Sequence, residues 1–120
     1  MSQSLNEGAA EFLAELVSGR IANGHLIDWT MGHELAIEQR FEREMRGRDL
    51  SDWLYNGVGT PDAPGDLGYW VGYRIVRAFY ERHSDKRRAA FCCWFSCMSL
   101  RSPSRSFRWR SSLRSESVVL

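Results

Sequence analysis

The stretch from Asp66 to His83 puts the tightest limit on what this chain can fold into. It carries Leu67, Tyr69, Trp70, Val71, Tyr73, Ile75, Val76, Phe79 and Tyr80, which on a helix spread bulky apolar groups around most of the circumference. Such a helix cannot keep one face in water and has to be covered on several sides. The remaining elements must therefore gather around it. The helix is predicted over 67–83, with Asp66 as its cap. Gly68 and Gly72, one turn apart, leave a strip where another backbone or a ligand can come close.

Two further helices are expected to supply the cover. The first is predicted over 6–21: Asn6 suits the N-cap, Glu7 the positive end of the helix dipole, and Asn23-Gly24 the stop. Ala9, Phe12, Leu13, Leu16 and Val17 recur at helical spacing, while Glu7, Glu11 and Glu15 line up on another face. The second is predicted over 30–46, with Met31, Leu35, Phe41 and Met45 as its buried set and Gly47 after its end. Its other face alternates Glu and Arg, the pattern of a solvated surface. Residues 47–65 read as loop, with Trp53-Leu54-Tyr55 as a short apolar anchor and turn signals from Asn56 to Gly65. No strand pattern and no internal repeat is visible, so the expected class is all-α with three main helices.

Composition divides the chain at about residue 91. Residues 1–90 hold 11 Lys and Arg against 14 Asp and Glu, whereas residues 91–120 hold five Arg and one Glu, together with nine serines. Cys92, Cys93 and Cys97 all lie beyond the break, so no cysteine can staple or metallate the first ninety residues. Cys, Trp, Ser and Arg rise together there while Glu, Lys and Ala nearly vanish, as in a coding sequence read out of frame. Residues 91–120 are thus expected to form a non-native or disordered tail behind a helical unit over 1–90.

The chemistry worth weighing centres on Glu7. Hydrolytic zinc sites commonly take two His and one Glu plus a water, the His pair at i, i+4 on one helix and the third ligand from a neighbouring helix. Asn6-Glu7-Gly8-Ala9-Ala10 resembles the third-ligand helix of gluzincins, in which small residues beside the Glu permit close packing. Asp66-Leu67-Gly68-Tyr69-Trp70-Val71-Gly72-Tyr73-Arg74-Ile75-Val76 resembles a segment of a family of bacterial predicted zinc-dependent proteases, and Asp52-Trp53-Leu54-Tyr55-Asn56-Gly57 is similar to that family's connecting loop. The resemblance covers residues 5–90 in consistent order. It implies the carboxy-terminal part of a gluzincin-like domain, with Glu7 as metal ligand and the His-Glu-x-x-His helix upstream of this segment. It also implies zinc and a peptide or protein substrate for the intact relative, with no zinc held and no activity shown by this chain alone. Tyr69 and Tyr73 would then be phenols that stabilise a tetrahedral oxyanion. The plainer alternatives remain open, with Glu7 as a dipole-friendly residue after a cap and both tyrosines as core aromatics.

Other histidines do not build a site in the sequence. His33-Glu34 opens like a zinc motif, but the position of the second His is Ile37. His25 reads as a turn residue and His83 as a helix-end residue. Arg-Ser-Pro-Ser-Arg-Ser in the tail, with Phe107 and Trp109, is too short and irregular for an RNA-binding segment, so no nucleic-acid partner is expected. No signal peptide and no apolar run of about 20 residues is present, which predicts no membrane partner and a cytoplasmic chain as written. Apolar faces left uncovered by a missing upstream part would favour self-association. The competing function is a small non-catalytic helical domain that binds a protein partner through the aromatic third helix.

Overall fold

A computed structural model describes the backbone of residues 2–99 and the side chains of residues 3–93. The fold is mostly helical: α1 (Ser2–Ser18), α2 (Gly24–Thr30), α3 (Glu34–Glu44), α4 (Leu67–Arg82) and α5 (Lys86–Ser99). Between α3 and α4 lies a two-stranded antiparallel ladder, β1 (Gly59–Thr60) and β2 (Ala63–Pro64), pairing Gly59 with Pro64 and Thr60 with Ala63. No described helix is long and apolar enough to cross a membrane.

As its composition requires, α4 is the central element. Leu67, Trp70 and Val71 join one cluster with Leu26 of α2, Ile37 and Phe41 of α3, and the loop pair Trp53 and Leu54. Tyr73 and Val76 join a second with Ala9 and Phe12 of α1 and Cys93 of α5. The expected strip of close approach is real. A Cβ at Gly72 would collide with the Ser4 carbonyl, and one at Gly8 with the Gly72 backbone, so α1 and α4 cross with their main chains nearly touching. Gly68 packs in the same way on the Trp53 carbonyl, to which it donates its N–H at 2.7 Å.

Several boundaries differ from the sequence reading, each for a physical reason. α1 begins at Ser2, not at Asn6, because Ser4 and Leu5 pack against α4 and carry the helix back to the amino terminus. Asn6 is therefore interior to the helix and caps nothing. The helix ends at Ser18, where Gly19 takes φ +69° and donates to the Glu15 carbonyl, so the stop comes well before Asn23-Gly24. The helix predicted over 30–46 is really the end of α2 followed by α3. Gly32, at φ +83°, separates them and resets the rotational phase. Met31 and Leu35 consequently face solvent and Ile37 is buried instead, while Phe41 is buried and Met45 packs against the core as expected. His25 belongs to α2 rather than to a turn.

Helical structure also continues through the compositional break. α5 runs from Lys86 to Ser99, started by Asp85, whose carboxylate accepts from the Arg88 N–H at 3.0 Å. Lys86 Nζ donates to the carbonyls of Tyr80 and Glu81, both at 2.9 Å, closing the end of α4. Ala89 and Cys93 are buried. Residues 91–99 are thus helix, not the irregular tail expected. The rest of that tail, 100–120, and the side chains of Trp94 and Cys97 lie outside the described residues.

Candidate functional site

Glu7 sits half-buried on α1 at the edge of the face that packs on α4. Its Oε1 accepts from the Tyr55 hydroxyl at 2.6 Å, and that hydroxyl accepts in turn from Gln3 Nε2 at 3.1 Å. The Tyr55 ring stands edge-on to Tyr69 of α4, 6.2 Å between centroids. Burial first, then the nearby Glu7 charge and the Tyr55 contact, push the Tyr69 phenol up to about 12. Tyr69 therefore stays protonated across the physiological range, a phenol that can give or take a hydrogen bond but does not act as a base.

One turn on, Glu11 accepts from Asn23 Nδ2. Its carboxyl is raised above the usual range, chiefly by burial and further by the charges of Glu7 and Asp66, against the lowering effect of the Asn23 bond. Glu15, another turn on, accepts from the Tyr73 hydroxyl at 2.5 Å, and Arg77 Nη1 donates to the same phenol oxygen at 3.1 Å. Burial and the Glu15 bond raise the Tyr73 phenol. The Arg77 guanidinium is held charged by its bond to Glu81 and then by Tyr73. The three glutamates aligned in the sequence thus share one edge of α1, and each is held by a neutral donor: Tyr55, Asn23 and Tyr73.

The structure brings Tyr69 to Glu7 and places Tyr73 elsewhere. Tyr73 works with Glu15, which at about 1.5 Å of rise per residue lies about 12 Å along α1 from Glu7. The residue in direct contact with Glu7 is Tyr55, which the sequence reading assigned to an apolar anchor with Trp53 and Leu54. Only those two are buried, each 2 % exposed, whereas Tyr55 is 64 % exposed. The sequence carried no signal for it, because the clue is in the backbone: Tyr55 follows the short turn in which Trp53 and Leu54 both donate to the Leu50 carbonyl. At such a turn end glycine or asparagine is usual, so a tyrosine there asks for an explanation.

Comparison with family models, with curated proteins and with solved structures gave no match. The site therefore rests on its geometry.

That geometry does not complete a zinc centre. Among the described residues no three His, Cys, Asp or Glu side chains come together in a way that could hold a metal ion. The His33 and His83 rings each lie against a carbonyl one turn back, of Trp29 at 3.1 Å and of Phe79 at 2.8 Å. Glu7 offers one carboxylate, a third of the protein ligands a catalytic zinc takes.

Proposed function

We propose that this chain is a carboxy-terminal piece of a gluzincin-like zinc metallopeptidase, inactive by itself, with Glu7 as the third metal ligand of the intact domain. The observation that carries the reading is the setting of Glu7 on α1. Ala10, Ala14 and Val17 follow it at i+3, i+7 and i+10 and are exposed, Val17 at 90 %. A carboxylate at the head of an exposed stripe of small and apolar residues is what a second helix, carrying a histidine pair, would pack against. Tyr69, kept protonated beside Glu7, would be a hydrogen-bond donor at such a site. Tyr73, bonded to Glu15, has no part in it.

The test is to read the genomic DNA upstream of the Met1 codon and in all frames past codon 90. An in-frame His-Glu-x-x-His helix upstream supports the peptidase reading, and its absence removes it. A second reading has one observation in its favour: α1, α2, α3, α5 and the loop pair Trp53 and Leu54 close two apolar clusters around α4. A small non-catalytic domain that binds a protein partner would show that closure. Its contact surface would be the exposed Met31 and Leu35 rather than the buried α4.

A further inference from the structure

Among the described residues, Tyr55 and Asp66 combine a side chain with a left-handed backbone, both at φ 61°. Aspartate tolerates this region; for a residue as bulky as tyrosine it is an outlier, which persists only where the surroundings over-determine it. They do so here. Leu54 before it is buried, and Asn56 after it exchanges two hydrogen bonds with Asp66, its N–H donating to Asp66 Oδ1 at 3.2 Å and its Oδ1 accepting from the Asp66 N–H at 2.6 Å. The backbone at Tyr55 is a fixed post.

A glycine would occupy that post without strain. What tyrosine adds is a hydroxyl on Glu7 and a ring edge against Tyr69. The partners of the three α1 carboxylates also differ in kind. Glu15 is held by Tyr73, only 5 % exposed, and Glu11 by a half-buried Asn23, whereas the side chain on Glu7 stands mostly in solvent. Glu7 can thus be uncovered by rotating one exposed side chain, without disturbing the core.

We propose that Tyr55 is a latch on Glu7: a phenol on a rigid backbone post that covers the carboxylate and yields it to a cation when the side chain swings into solvent. Its purpose rests on Glu7 being the working carboxylate of the domain; its existence does not. A cation that takes Glu7 Oε1 displaces the Tyr55 hydroxyl from it, so occupancy of that oxygen is coupled to the position of one exposed ring.

The experiment is carbodiimide-driven amine labelling of the full chain, read residue by residue by mass spectrometry, in the wild type, Tyr55→Phe and Tyr55→Gly. Loss of one hydrogen bond predicts Glu7 labelling faster by roughly threefold or more in Tyr55→Phe, and faster still in Tyr55→Gly, with Glu15 unchanged as internal reference. Equal Glu7 rates in all three proteins overturn the latch. If Glu15 accelerates as well, the variant has loosened, and the decision passes to nuclear Overhauser contacts between the Tyr55 ring and the Glu7 side chain in the wild type. Their presence supports the latch and their absence overturns it. Neither readout involves zinc or the upstream coding sequence, so the latch and the peptidase reading can fail separately.

Discussion

Gly8 of α1 and Gly72 of α4 meet at the helix crossing: a Cβ on Gly8 would fall on the Gly72 backbone, and one on Gly72 would lie 3.2 Å from the Gly8 Cα. The contact is tight enough to reverse the usual effect of a glycine-to-alanine change, which in a helix interior stabilises by about 1 kcal/mol. At Gly72 the added methyl meets the Ser4 carbonyl, a backbone group that cannot step aside.

Gly72→Ala should therefore destabilise the chain by roughly 2–3 kcal/mol, the upper part of the range for overpacking. Gly24→Ala is the control, since nothing lies within 4 Å of a Cβ there and its φ is not left-handed; it should be neutral or slightly stabilising. Urea unfolding midpoints of the two variants distinguish them. A neutral Gly72→Ala would mean that the helices do not cross at this distance.

Glu11 gives a pH dependence of definite sign. Its carboxyl is raised in the folded chain, mainly by burial, so the folded state binds more protons than the unfolded one between the ordinary value and the raised one. Stability from this group is fully present below that window and is lost as pH rises through it. Glu11→Gln removes the charge and its repulsion with Glu7 and Asp66. The variant should be more stable than the wild type at pH 7, by about 0.5 kcal/mol after allowing for solvent screening, and should lose that advantage by pH 4. Thermal midpoints of both proteins at the two pH values check this.

The course of α5 predicts where the chain can be shortened. Ending it at Ala90 cuts the helix and takes Cys93 from the cluster it shares with Phe12 and Tyr73. That version should lose helical signal and unfold at lower urea. Ending it at Ser99 keeps every described contact and should leave both quantities unchanged. Circular dichroism and limited proteolysis of the two versions decide the matter. Full stability in the version ending at Ala90 would restore residue 91 as a true boundary.

On the peptidase reading, the purified chain should show no peptide cleavage above the rate without protein, with or without added zinc, because Glu7 lacks companion ligands among the described residues. Chelator-sensitive cleavage would overturn that expectation.

The centre of this fold was legible because α4 carries its own instruction: apolar on nearly every face, it could only be surrounded. The flanks were less so. Periodicity over 30–46 ran through Gly32, and nothing in the residue types alone shows that this glycine adopts φ +83° and sets α3 to a new phase. Asn6 has the local chemistry of a cap, but burial of Ser4 and Leu5 on a helix some 60 residues away decides where α1 starts. At the candidate site, the resemblance named Glu7, Tyr69 and Tyr73, of which Tyr73 is bonded to Glu15 instead. Tyr55 could not be named, because its role depends on a backbone conformation that disfavours its own residue type. The seam at residue 91 is real in composition but has no counterpart in the helix that crosses it.

The bond between Tyr73 and Glu15 joins residues 58 apart in the chain. α1 leaves a ribosome well before α4, which carries its partner. At about 5–20 residues per second, synthesis of that interval takes about 3–12 s. Throughout that time Ala9 and Phe12 have no α4 to cover them. During birth, then, α1 is an exposed amphipathic segment waiting for its mate, and a cell would have to shelter it for seconds before the two helices could close.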